Sequence, residues 1–79
     1  MNNKISIEYC TSWNYITKAV GLTESLLNEH KQKLKEVSII PSSGGVFEVK
    51  FNDELIFSKK ELGRFPEKDE VEEKVNDKI

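Results

Sequence analysis

One sulfur nucleophile is available to this chain, and it lies in Tyr9-Cys10-Thr11-Ser12-Trp13-Asn14-Tyr15, between a short apolar run and an amphipathic stretch. Only the thiolate attacks. A cysteine near a helix N-terminus feels the partial positive charge of unpaired N–H groups, which lowers its pKa and raises the thiolate fraction. Attack by Cys10 on a disulfide would give a mixed disulfide, which a second nearby thiol normally resolves. The chain contains no second cysteine. From position alone, Cys10 reads equally well as a small buried apolar residue at a strand end, because free cysteine is among the most buried residue types.

Other chemistries find less support. The single histidine, His30, is about five helical turns from Cys10, roughly 30 Å along a helix axis, too far to act as that thiol's base. A packed histidine at the core edge is the expected role. One histidine so placed makes no Ser-His-Asp set, and no glycine-rich phosphate loop opens either helix. One cysteine and one histidine supply neither a disulfide nor a zinc ligand set, so no metal is expected. The unpaired thiol agrees with a reducing compartment.

The 79 residues carry a net charge of −2, which provides no field to steer nucleic acid or an anionic membrane. Lys31, Lys33, Lys35, Lys59, Lys60 and Arg64 have acidic neighbours and read as solvated faces. The apolar run after Met1-Asn2-Asn3-Lys4 is too short for a signal h-region, and no stretch approaches a membrane span. We therefore expect a cytoplasmic protein with no nucleic-acid or membrane partner. Residues 1–79 are expected to form one domain of modest stability, fraying at both ends.

The positioning elements follow from periodicity. Lys4 to Tyr9 alternates, with Ile5, Ile7 and Tyr9 on one face, and predicts a strand. From Trp13 to about Leu34, Ile16, Ala19, Val20, Thr23, Leu27, His30 and Leu34 recur at helical spacing, with Thr11 or Ser12 as the expected N-cap. Gly21 costs that helix about 1 kcal/mol relative to alanine. Lys35 to Ile40 predicts a second strand, ended by a turn at Pro41-Ser42-Ser43-Gly44-Gly45. Val46 to Phe51 and Leu55 to Lys59 predict a hairpin about Asn52-Asp53. Pro66 is placed to open a last helix carrying the stripe Val71, Val75 and Ile79. A right-handed crossover makes the first two strands parallel, and the hairpin extends the sheet antiparallel. The expected fold is α/β (α+β), thioredoxin-like, in the order β-α-β-β-β-α, with two helices on a four-stranded mixed sheet.

The stretch from Tyr9 to Tyr15, followed by Lys18-Ala19 and Glu24-Ser25-Leu26-Leu27, resembles the selenoprotein W-like (Rdx) family, the selenoprotein T, W and H type of thioredoxin-like protein. Pro41 to Val49 resembles that family's central turn and strand, Leu55 to Lys60 its next strand, and Gly63-Arg64-Phe65-Pro66 its closing motif. These segments run in family order over nearly the whole chain. The resemblance implies a thiol-redox role, with Cys10 at the first position of the family's Cys-x-x-Cys or Cys-x-x-selenocysteine motif. It also implies glutathione or a protein thiol as partner, glutathione acting as co-substrate with no bound cofactor.

The departure is Trp13, which occupies the place of the second cysteine or selenocysteine. Indole cannot resolve a mixed disulfide. A natural loss, an engineered substitution and a UGA codon decoded as tryptophan would each put Trp13 there, and the codon distinguishes the last. With Trp13 in place, the expected mechanism uses one thiol and an external reductant. The alternative is a non-catalytic interaction module on the same scaffold. Thr11, Ser12, Tyr15, Ser43, Gly44 and Gly45 are the candidate contacts to a ligand or partner, with Trp13 and Tyr15 as an aromatic lip. A homodimer would cover the edge strands of so small a sheet.

Overall fold

Alternation of apolar and polar side chains places Ile5, Ile7 and Tyr9 opposite Phe51, Val49 and Phe47, so two strands present a common apolar face. In the computed structural model, which describes residues 3–79, these strands are β1 (Lys4–Cys10) and β3 (Phe47–Phe51). Between them in sequence come α1 (Tyr15–His30), a 3-10 turn (Lys31–Lys33) and β2 (Glu36–Ser42). After β3 follow β4 (Glu54–Ser58), the short α2 (Lys59–Leu62) and α3 (Glu70–Lys78). The sheet order is β2-β1-β3-β4, with β1 parallel to β2 and the remaining pairs antiparallel. This is the expected mixed four-stranded sheet. The expected fraying of the first residues falls on Met1 and Asn2, outside the described residues.

α1 packs over β1 and β2 and touches α3, which rests on β4. The core between them holds Ile5, Ile7, Leu22, Leu26, Phe47, Val49, Phe57, Val71 and Val75. A bulge between Val49 and Lys50 shifts the β3–β4 register, and adjacent residues Ile56 and Phe57 both become buried. The other sheet face carries Lys4, Ser6, Glu8, Glu36, Glu48 and Lys50, whose charges keep it solvated.

Several boundaries depart from the sequence expectation. α1 does not begin under a Thr11 or Ser12 cap. Trp13 and Asn14 both adopt left-handed backbone, φ 56° and 62°, and Asn14 occupies the cap without a side-chain hydrogen bond. The buried stripe of α1 is Ala19, Leu22, Leu26 and His30, whereas Ile16, Val20 and Leu27 are exposed. α1 carries two apolar stripes about a quarter-turn apart, and the sheet takes the second. Pro41 and Ser42 continue β2 instead of turning, which an edge strand tolerates because the ring's missing N–H can face outward. Lys59 begins α2 instead of ending a strand: the Ser58 hydroxyl accepts from the Glu61 N–H at 3.1 Å. The last helix starts at Glu70, capped at Asp69, so Pro66 stands in the preceding loop, and Ile79 is exposed beyond the helix end.

Candidate functional site

Cys10 ends β1, and backbone bonds fix it from two sides. Its N–H donates to the Val46 carbonyl at 2.9 Å, and the Thr11 N–H donates to the Ser42 carbonyl at 3.2 Å. The loop between β2 and β3 is thereby tied to the cysteine turn. Gly44 and Gly45 in that loop both have positive φ, 84° and 73°, a pair of conformations that glycine adopts without steric cost. In these conformations the Gly44 and Gly45 amides act on the side chain at the end of β1.

The thiol lies beside those amides. The backbone amide of Ser12, then that of Gly45, favour the thiolate and lower the Cys10 pKa from its ordinary value, with smaller help from the Ser12 hydroxyl and the Gly44 amide. Burial opposes this and does not prevail. The residue is only 3% exposed, so a partner sulfur must approach over the rim.

That rim is aromatic and cationic. Trp13 is 78% exposed, with its ring centroid 6.2 Å from that of Tyr15. Tyr15 meets Phe65 edge-on at 4.8 Å, and Phe65 meets Phe47 at 5.3 Å. A methyl group at Gly45 would sit 3.8 Å from the Tyr15 hydroxyl, which places that ring beside the glycine loop. The Lys59 ammonium lies over the rings of Tyr15 and Phe65, and the Lys18 ammonium lies 4.7 Å from the Phe65 centroid. Cation–π contact holds both lysines beside the site.

Of the residues expected here, Cys10, Ser12, Gly44 and Gly45 come together around the sulfur, and Tyr15 and Trp13 form the adjoining wall. Thr11 contributes its N–H to the loop tie, with its side chain exposed. Ser43 shares the loop but is exposed and is not among the groups that shift the thiol. Sequence reasoning did not assign Lys18, Lys59 or Phe65 to the site. Phe65 could have been flagged from the Gly63-Arg64-Phe65-Pro66 segment, and Lys59 from the capping signature Ser58-x-x-Glu61. His30 is buried at the far end of α1, as expected of a packed histidine. No group of metal-ligating side chains occurs among the described residues, and no described helix is long and apolar enough to cross a membrane. A depression of about 710 Å³ is lined by Lys4, Ser6, Glu36, Ser38, Lys50 and Asp53 and does not include Cys10.

A β-α-β-β-β-α core with its cysteine at the first strand-to-helix turn defines the thioredoxin-like class. Residues 4–77 match the Rdx family, and the chain belongs to that family. It is similar to a selenoprotein W-related protein from Vibrio cholerae, with 30% identity and TM-score 0.91 over 98% of this chain and 96% of that one. It is also similar to a protein from Bordetella parapertussis, with 29% identity and TM-score 0.94 over 100% of each chain. No curated protein matches it. Membership carries a thiol-redox role of the selenoprotein W-like kind at the level of the family.

Proposed function

We propose that this protein performs one-thiol exchange through Cys10. The Cys10 thiolate attacks a disulfide such as oxidised glutathione, forming a Cys10–glutathione bond and releasing glutathione thiolate. An external thiol then attacks the glutathione sulfur, breaking its bond to Cys10, which leaves as thiolate, and forming a disulfide between the external thiol and glutathione. Trp13 has no sulfur to perform that second step within the chain. The observation that carries this reading is the convergence of the Ser12, Gly45 and Gly44 amides on the sulfur, which favours thiolate as nucleophile and as leaving group. Lys18 and Lys59 support glutathione, or an acidic protein segment around a partner thiol, because each ammonium offers a charge to a carboxylate.

Incubation with oxidised glutathione followed by intact-mass measurement should add one glutathione to the native protein, released by excess thiol. A native protein that stays unmodified while an unfolded control is labelled would reject the proposal. The low exposure of Cys10 beside a highly exposed Trp13 favours a second reading, an interaction module whose contact residue is the tryptophan. Partner binding unchanged in C10S and lost in W13A would support that reading.

A further inference from the structure

The sheet order β2-β1-β3-β4 leaves two edges, and the chain treats them differently. On β4, the Lys74 ammonium donates to the Ile56 carbonyl at 3.0 Å, and Lys78 pairs with Glu54 at 2.9 Å. Lysines so placed deter another strand from pairing there. β2 has no such guard: its one side-chain hydrogen bond among the described residues, from Ser38 to Glu36, leaves the strand backbone free. The Ser42 carbonyl accepts from the Thr11 N–H and so points at β1. Backbone direction alternates along a strand, so Val37 and Ile39 turn their N–H and C=O groups away from the sheet. Pro41 has the same direction but no N–H, which ends the stretch able to pair.

An apolar surface adjoins this edge. Val37 and Ile39 lie in register with Ile5 and Ile7 and are only partly buried against the core. On α1, Ile16, Val20 and Leu27 are 40%, 49% and 44% exposed. Ser25, bonded to Glu72, and Lys18, over the Phe65 ring, mark the flank of α1 that meets the Phe65–α3 segment. At about 100° per residue, the exposed stripe falls on the other flank, over β2.

The occupant that matches both layers is a second copy of the chain. Two β2 strands running antiparallel about a twofold axis at Ser38 pair Val37 of each copy with Ile39 of the other, and every outward N–H and C=O of these residues is satisfied. That register sets Glu36 opposite Ile40, so no like charges face each other. A helix lying over β1 and β2, strands about 4.8 Å apart, comes within roughly 10 Å of its counterpart across the axis, the spacing at which helices pack. The exposed stripes then cover one another. We propose that the protein self-associates through β2 into a twofold dimer that joins the two sheets into one. The contact is one strand long and two layers deep, on the order of 1,000 Å² in all, the lower limit of a specific interface, so the dimer should be concentration-dependent. The assignment is independent of the thiol reading, because it involves no step at Cys10.

The test is sedimentation equilibrium from about 10 μM to about 1 mM, with reductant present to exclude a Cys10–Cys10 link. A monomer–dimer equilibrium is expected. Val20→Glu alters an exposed side chain, so it should keep the fold by circular dichroism while weakening the dimer about tenfold or more. Amide hydrogen exchange reads the register: Ser38 and Ile40 should be protected at every concentration, Val37 and Ile39 only as the dimer forms. A protein that stays monomeric at the highest concentration overturns the proposal and leaves the edge to an extended segment of another protein. A dimer with Val37 and Ile39 unprotected, or one that Val20→Glu does not weaken, overturns it as well.

Discussion

α1 has a buried, chemically capable side chain near each end, and the two are treated in opposite ways. Before its first turn, Cys10 is 3% exposed; at its last residue, His30 is 4% exposed. Around the sulfur, amides from two loops converge and pull the thiol toward its charged form. Around His30, the buried Nε2 atom has no hydrogen-bond partner. Equal burial is therefore accompanied by opposite polar surroundings. The cysteine end has Gly44, Gly45, Trp13 and Asn14 in left-handed backbone, whereas the histidine end has Lys31 alone at positive φ. Such a conformation costs a non-glycine residue about 1–2 kcal/mol, so the strain at Trp13 is held by the surrounding turn.

The largest test of this contrast is removal of the sulfur. Cys10→Ser should abolish the glutathione adduct, while replacement of His30 should leave it intact, both read by intact mass. Next in size, Trp13→Cys places a thiol at the family's second position. The adduct should then be short-lived, with the introduced thiol displacing glutathione to leave an internal disulfide, visible as a loss of two hydrogens. Persistence of the adduct would show that this turn holds position 13 away from the sulfur.

A smaller effect concerns the amide cradle. Gly45→Ala forces a side chain onto a backbone with φ 73° and should move the pH midpoint of Cys10 alkylation upward, toward that of an unfolded control. Because the folded thiol has the lower pKa, ionisation stabilises the fold above the ordinary thiol pKa. That contribution is lost as pH falls through the folded value, and Gly45→Ala should reduce it. At the other end, His30→Leu removes an unsatisfied polar atom with little change in volume and should raise stability by about 1 kcal/mol in urea unfolding. A loss there would reveal a partner for Nε2.

The smallest effect is acidic. The Arg64 guanidinium, bonded to both Glu70 oxygens, together with the Glu67 amide, holds the Glu70 carboxyl down at about 2. Its stabilising contribution is complete above the ordinary carboxylate pKa and fades as pH falls through about 2. The pair is partly solvated, so Arg64→Gln should change acid unfolding only slightly.

Period-two alternation made β1 and β3 legible, because Ile5, Ile7, Val49 and Phe51 face one core. The cysteine turn was legible in place but not in shape. Serine and threonine are good caps wherever a helix starts, yet here the chain takes a left-handed detour through Trp13 and Asn14 before α1 begins. The buried face of α1 was ambiguous in principle: Ile16, Val20 and Leu27 form as regular a stripe as Ala19, Leu22 and Leu26, and only docking on the sheet chooses between them. The convergence of Gly44 and Gly45 with Ser12 is a long-range contact, set by the parallel register Cys10↔Ser42. Local pattern cannot express it.

β1 is an interior strand, bonded along its length to β2 and β3, both distant in sequence. The β3–β4 hairpin, by contrast, joins near neighbours such as Phe51 and Glu54. Distant pairing carries the greater loop-closure cost, so local pairs have the kinetic advantage during folding. The strand that delivers the cysteine should therefore be the last to settle. The thiolate cradle would then mature only when the whole sheet has closed, making the downward shift of the Cys10 alkylation pH midpoint a clock for completed folding.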